Sequence, residues 1–250
     1  MSLDLELAFS ACDIADRLTL AAFRRPDLAV STKADLSPVT EADRAAEMAI
    51  REFLARQRPT DAVLGEEMGS DGKGPRRWFI DPIDGTANYM RGIPVWATLL
   101  GLEVDGQMRL GVVSAPALGR RWWAERGQGA FAGRPGDQGE QLKVSGIRTL
   151  AESQVSLGDP TDRLVAVGML AKRCRGFGDF WSHMLVAEGA CEVGIDPVAS
   201  VWDVAALQVI VEEAGGKFTD IFGRPRLDGG SAVSTNGLVH EEVISVLSGR

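Results

Sequence analysis

The chain lacks any apolar run long enough to cross a bilayer: stretches such as Val95 to Leu102 and Val204 to Val211 fall far short of the roughly 20 residues required. A basic leader is missing too. The first residues, Met1-Ser2-Leu3-Asp4-Leu5-Glu6, are acidic where a signal peptide would be basic, so a soluble cytoplasmic protein with no membrane partner is expected. Cysteine is scarce. Cys12, Cys174 and Cys191 form an odd set without CxxC or CxxH spacing, which speaks against a disulfide framework or a zinc site and predicts buried reduced thiols. Blocks of like charge are absent, and Lys+Arg number 27 against 35 Asp+Glu for a formal net charge of −8, so no nucleic-acid partner is expected. An acidic chain can instead recruit cations, provided its carboxylates gather at one place.

Apolar material is plentiful. At 250 residues and 45% apolar composition the chain can bury a real core, as one large domain or two small ones. Leu7, Ala11, Ile14, Leu18 and Ala21 recur at steps of three and four, which predicts a helix over most of residues 3–23. Thr40-Glu41-Ala42-Asp43 opens a second helix, with Ala46, Ala49, Ile50 and Phe53 as its apolar stripe and an end near Arg58-Pro59. Short apolar runs follow at 62–64, 78–80, 95–104 and 108–114, and Asp105-Gly106 between the last two is a hairpin signal. Beyond a Gly-rich stretch at 127–139, expected strands at 155–157, 191–195, 217–219 and 233–234 alternate with expected helices at 162–172, 181–188, 202–214 and 241–247. The pattern predicts a layered α/β (α+β) fold: an N-terminal α+β portion, 1–140, and a C-terminal α/β portion, 141–250, joined as one compact unit.

The segment Trp78-Phe79-Ile80-Asp81-Pro82-Ile83-Asp84-Gly85-Thr86 carries the most information. An apolar strand runs into an acid, a proline stiffens the exit, and a second acid follows three residues on. Such a turn can aim Asp81, Asp84 and the Ile83 carbonyl at one point, the oxygen donors that a hard divalent cation prefers. Gly85-Thr86 adds backbone N–H groups and a hydroxyl suited to an anion. Asp-Pro and Asp-Gly are also ordinary turn formers, and three further acidic spots each have a plain structural explanation. Gly65-Glu66-Glu67 can be a solvated loop, Asp203 can simply favour a helix dipole, and Thr40 with Asp43 can form a capping box. Jointly they supply acids around one metal-and-phosphate turn.

Taken together, these motifs resemble the inositol monophosphatase superfamily. Gly65-Glu66-Glu67, Asp81-Pro82-Ile83-Asp84-Gly85-Thr86, Trp202-Asp203-Val204-Ala205-Ala206 and Glu213-Ala214-Gly215-Gly216 carry the resemblance, with Thr40-Glu41-Ala42-Asp43 upstream and Gly127-Gln128-Gly129-Ala130-Phe131 between. It implies an αβαβα sandwich, Mg²⁺-dependent hydrolysis of small phosphate monoesters, two to three ions per site with Mn²⁺ as a substitute, and a homodimer. Glu66, Asp81 and the Ile83 carbonyl would hold one ion and Asp81, Asp84 and Asp203 a second, with Glu66 also touching a third. Asp43 and Thr86 would orient the attacking water, with Glu66 counted among the catalytic groups. The Gly85 and Thr86 amides would bind phosphate.

Arg175-Gly176-Phe177-Gly178-Asp179-Phe180-Trp181-Ser182 departs from the Gly-Ser-Ala-Ala type segment usual in inositol phosphatases. Aligned with the family back from Trp202-Asp203, Asp179 falls where a small residue often faces the substrate and Asp196 where a Glu often contacts inositol hydroxyls. The resemblance thus implies substrate contact for both, beside Asp84 and Asp203. Two extra carboxylates suit a cationic amino-alcohol leaving group better than a neutral polyol. With Arg91 to Thr98 and Ala115 to Trp123, the segment looks like the histidinol-phosphate phosphatase branch; Trp96, Trp122, Phe180 or Trp181 could pack against an imidazole, against the plainer reading of each as a core or dimer-interface residue. Trp202, where much of that branch has Tyr, keeps inositol-1-phosphate as the alternative substrate. A metal-binding scaffold without turnover is the non-enzymatic alternative. His183 and His240 are given structural roles.

Overall fold

The computed structural model describes residues 1–32, 38–158, 161–176 and 178–249, so Phe177 of the segment quoted above lies outside the described residues. Helix α1 (Leu3–Ala22) starts at Ser2, whose hydroxyl accepts from the Leu5 amide at 3.2 Å. A ribbon of β1 (Val30–Thr32) and β2 (Pro38–Thr40) leads to α2 (Glu41–Gln57). Strands β3 (Ala62–Gly65), β4 (Gly69–Asp71) and β5 (Arg76–Asp84) follow, then a short helix α3 (Thr86–Met90). Next come β6 (Ala97–Val104), β7 (Gln107–Ala115), β8 (Arg120–Glu125), β9 (Gly129–Gly133) and β10 (Glu140–Gln141). These form a sheet of order β10-β9-β8-β7-β6-β5-β3-β4, with β3 and β5 parallel and the other pairs antiparallel. Between β6 and β7, Asp105 and Gly106 both adopt positive φ, 53° and 75°, as the hairpin signal requires.

The rest of the chain alternates: β11 (Gln154–Leu157), α4 (Asp162–Leu170), β12 (Arg173–Arg175), α5 (Asp179–Ala187), β13 (Val193–Asp196), α6 (Val201–Glu213), β14 (Lys217–Thr219), β15 (Ala232–Thr235) and α7 (His240–Ser248). Its strands form a second sheet of order β12-β11-β13-β15-β14.

Side-chain alternation decides the layering. On β5, Trp78 and Ile80 face α1 and α2, packing with Leu5, Ala8, Ala11, Ala46 and Ile50, while Phe79 faces the other way among residues of α5 and α6. Helix α6 is apolar nearly all round, from Val204 to Val211, because it lies between the sheets. The outer face of the second sheet packs Val155, Val193, Ile195 and Val233 against Leu164 and Val167 of α4 and Val243 and Leu247 of α7. Each fully buried Val, Leu, Ile or Phe in these layers contributes about 1.5–3 kcal/mol. Helix pair, sheet, helix pair, sheet, helix pair is the expected αβαβα sandwich.

Two sequence expectations need correction. The Gly-rich stretch at 127–139 contains strand β9, and the apolar edge at Cys191 precedes rather than belongs to β13. Cys12 and Cys191 are buried free thiols as expected, whereas Cys174 is only half-buried.

Candidate active site

Strand β5 delivers the acids. Asp81 pairs with Leu99 and Asp84 with Ala97, so one extra residue is accommodated on β5 between them. Residues three apart on a regular strand point to opposite faces; this bulge puts Asp81 and Asp84 on one side. The Thr98 hydroxyl donates to the Pro82 carbonyl at 2.8 Å and the Ile83 amide to Asp81 Oδ1 at 3.0 Å, which fixes the turn. Thr86 Oγ1 donates to the Ile83 carbonyl at 2.9 Å.

Two helix starts complete the group. Asp43 is the third residue of α2, and its Oδ2 accepts from the Thr40 amide at 2.9 Å and the Thr40 hydroxyl at 2.6 Å, while Oδ1 lies 3.4 Å from Thr86 Oγ1. Asp203 is the third residue of α6, and its Oδ2 accepts from the Ser200 amide at 2.7 Å. Both are capping boxes, and in Asp43 one carboxylate oxygen closes the cap while the other faces the turn. Asp81, Asp84 and Asp203 each offer an oxygen within 4.8 Å of the others.

Glu66 arrives by parallel pairing. Gly65 on β3 is in register with Ile80 on β5, and the Glu66 amide donates to the Ile80 carbonyl at 3.1 Å, which sets Glu66 beside Asp81. Sequence reasoning missed the residue that holds this loop. Glu47, fully buried on α2, accepts from the Glu67 amide at 2.7 Å, the Met68 amide at 3.1 Å and Arg51 Nε at 2.7 Å, and Arg51 also donates to the Gly69 carbonyl. The available signal was spacing: Glu47 lies four residues after Asp43, on the same helix face.

Electrostatically the cluster is crowded. Burial, then the charges of Glu66, Asp84 and Asp203, push the Asp81 carboxyl well above its usual range. Asp84 rises well above it through burial and the nearby Asp179 and Asp203, opposed by the Phe180 amide that donates to its Oδ2 at 2.6 Å. Burial lifts Asp203 to about 7 against the Ser200 hydrogen bond, and lifts Asp43 against its bonds from Thr40. A set of hard oxygen donors whose ionised forms are mutually disfavoured fits a divalent cation, which would favour every one of those forms at once.

Beside the acids lies a cleft of about 420 Å³, lined by Asp84, Asn88, Gly158, Asp179, Asp196 and Asp203 among others. Asp179 begins α5 at a strained φ of 51°, and the Asn88 side-chain amide donates to its Oδ2 at 3.3 Å. Asp196 ends β13 and contacts His183 Nε2 at 2.9 Å. The structure thus brings Asp179 and Asp196, the two acids expected to face substrate, to the same cleft. Of the two readings of the aromatics, the structure supports the core one. Trp96, Trp122 and Phe180 are fully buried, Trp96 against Tyr89 and Phe23 and Trp122 against Phe180, and the half-buried Trp181 packs on the central core; none of the four lines the cleft. His240 is buried between Thr219 and Thr235, as a structural histidine should be.

The sequence profile of the inositol monophosphatase family matches residues 3–249. The chain is 48% identical over 254 residues to the histidinol-phosphatase of Mycobacterium tuberculosis, covering 98% of each chain. It is 48% identical over 259 residues to the histidinol-phosphatase of Streptomyces coelicolor, covering 99% of this chain and 97% of that one. Among solved structures, the Thermotoga maritima IMPase has a TM-score of 0.89 at 32% identity, covering 98% of this chain and 97% of that one. A profile match from the first helix to the last, close relatives of the same length and a shared sandwich lead to one assignment: the chain belongs to the inositol monophosphatase family.

Proposed function

We propose that this metal-dependent phosphatase is a histidinol-phosphatase, hydrolysing L-histidinol phosphate to L-histidinol and phosphate in histidine biosynthesis. The observation that carries the reading is the juxtaposition of the Asp81, Asp84 and Asp203 cluster with a cleft walled by two further carboxylates, Asp179 and Asp196. Near-full-length identity of 48% to two histidinol-phosphatases supports the same substrate.

Glu66, Asp81 and the Ile83 carbonyl would hold one Mg²⁺; Asp81, Asp84 and Asp203 a second; Glu66 would contact a third, and Mn²⁺ can substitute. Bound there, such ions neutralise the phosphate dianion, lower the pKa of a water and stabilise the departing alkoxide. The chain's own groups supply the positioning. The single proton of Thr86 Oγ1 goes to the Ile83 carbonyl at 2.9 Å rather than to Asp43 at 3.4 Å, which leaves the hydroxyl oxygen and Asp43 Oδ1 as neighbouring acceptors. A water donating to both has its lone pair aimed away from them, toward phosphorus. Asp43 is the group placed to take its proton. The Gly85 and Thr86 amides would receive the phosphate oxygens. Among the described residues that line the cleft there is no Ser, Cys or His, and in this reading its aspartates are engaged with cations or the leaving group, so direct attack by water without a phosphoenzyme is the favoured course. Asp179 and Asp196 would face the ammonium and imidazole of the leaving alcohol. The same reading makes the enzyme a cytoplasmic homodimer.

One observation favours inositol 1-phosphate as a second substrate: Trp202 precedes Asp203, as is common in the inositol branch. Comparing kcat/KM for L-histidinol phosphate and inositol 1-phosphate with Mg²⁺ present tests the proposal. A marked preference for the histidinol ester is expected, and a marked preference for the inositol ester would overturn it.

A further inference from the structure

We infer that His183 is the positioning residue through which helix α5 fixes the Asp196 carboxylate, and with it the selectivity of the cleft for esters whose leaving group carries a cation. The inference rests on the functional reading above and concerns which residue enforces it.

His183 is completely buried, yet it joins two polar groups: Nδ1 lies 2.6 Å from Ser234 Oγ on β15 and Nε2 lies 2.9 Å from Asp196 Oδ2. A carboxylate can only accept, so Nε2 donates its proton to Asp196, while the Ser234 hydroxyl pairs with Nδ1 and holds the ring plane. The other oxygen is confined as well. Asp196 Oδ1 lies against Gly158, where any Cβ would collide with it. The His183 bond to Oδ2 and the seat that the missing side chain of Gly158 leaves for Oδ1 together select one orientation of the carboxylate at the cleft.

Sequence spacing ties this arrangement to the other acid. Asp179 is the first residue of α5 and His183 lies four residues on, one turn into the same helix. Helix α5 therefore places one carboxylate directly and the second through a histidine, and the separation between the two is set by packing rather than by loop conformation. A rigid pair of charges discriminates a cationic amino-alcohol from a neutral polyol better than mobile side chains, because no ordering cost is incurred on binding.

The test compares L-histidinol phosphate with glycerol 2-phosphate, which has no cation, in purified full-length protein with Mg²⁺. In His183→Met, KM for the histidinol ester should rise roughly tenfold or more relative to KM for glycerol 2-phosphate, the scale of one charge-assisted hydrogen bond. His183→Gln, whose amide can reach the Nε2 position, should recover most of that selectivity. Ser234→Ala, a milder change that frees the ring to flip, should lose part of it, so the question stays answerable if His183→Met does not fold. In an Asp196→Asn background, His183→Met should cost no further selectivity. Equal losses on both esters, or full additivity with Asp196→Asn, would overturn the inference and leave His183 as a core residue. Failure of the wild type to prefer the histidinol ester over inositol 1-phosphate would instead overturn the functional reading, whatever the His183 variants do.

Discussion

Glu47 Oε1 occupies the space that a side chain on Gly65 would need: a Cβ built on Gly65 would collide with it. The glycine and the buried carboxylate are fitted to each other, and Glu66 follows directly in the chain. Gly65→Ala should displace Glu47 from the Glu67 and Met68 amides, weaken Mn²⁺ binding measured by calorimetry, and destabilise the fold by about 1–3 kcal/mol in urea. Glu47→Gln should cost more, about 3 kcal/mol or above, because Arg51 then keeps a largely buried charge without its partner. Unchanged metal binding in both variants would show that this clamp does not govern Glu66.

Asp84→Asn separates affinity from stability. Removing one of several mutually repelling carboxylates should raise the melting temperature of the metal-free protein. The same change should abolish most of the stabilisation that Mg²⁺ gives and reduce phosphate release by at least about a hundredfold. Melting curves with and without Mg²⁺ read both arms.

Asp43→Asn keeps a cap and loses an acceptor. An asparagine oxygen can still receive the Thr40 amide, so stability should change by less than about 1 kcal/mol. The group facing Thr86 becomes an N–H₂ donor, and kcat should fall about 10²–10⁴-fold with Mg²⁺ affinity nearly intact. A loss confined to metal affinity would count against the water-orienting role.

Asp179→Gly removes a carboxylate from a residue that already sits at φ 51°, so the backbone accepts the change while Asp179→Ala would add strain. The glycine variant should lose far more kcat/KM on L-histidinol phosphate than on glycerol 2-phosphate. Equal losses would make Asp179 a structural or metal-holding residue.

Acid stability should track His240. Burial lowers its pKa from 6.5 to about 4, so the folded protein keeps the ring neutral where the unfolded chain protonates it. The unfolded state then binds more protons between these values, and stability falls as pH drops through 6.5 toward 4, by up to about 3 kcal/mol. His240→Gln should flatten that part of the stability curve measured by urea unfolding. An unaltered slope would assign the acid sensitivity to other groups.

The Asp81 to Thr86 turn was legible because proline, glycine and spaced acids have few other uses at the end of an apolar strand. The long helices and the Asp105-Gly106 hairpin were legible for the same local reason. Strands β8 and β9 were not: β8 begins with two arginines, and Arg121 is buried only because Asp13 and Asp16 on α1 neutralise it at 2.8 Å. That pairing spans the chain and leaves no local periodicity. The four aromatics stayed ambiguous in the sequence because a large apolar ring reads the same whether it faces a core or a cleft. His183 read as structural only, because its partners, Ser234 and Asp196, become neighbours only when β15 pairs with β13. For Asp43 and Asp203, capping and chemistry looked like competing explanations in the sequence. In the fold Asp43 has an oxygen for each, and Asp203 caps α6 while reaching the acid cluster.

Helix α6, covered by a sheet on either side, has a kinetic consequence. No turn of it beyond the first can unwind without prising the two sheets apart, so its amides should exchange with deuterium only through global unfolding. Asp203 sits in that first turn, where its Oδ2 accepts from the Ser200 amide and closes the helix start over a core that does not open. The floor beneath the acid cluster thus lasts as long as the native state itself.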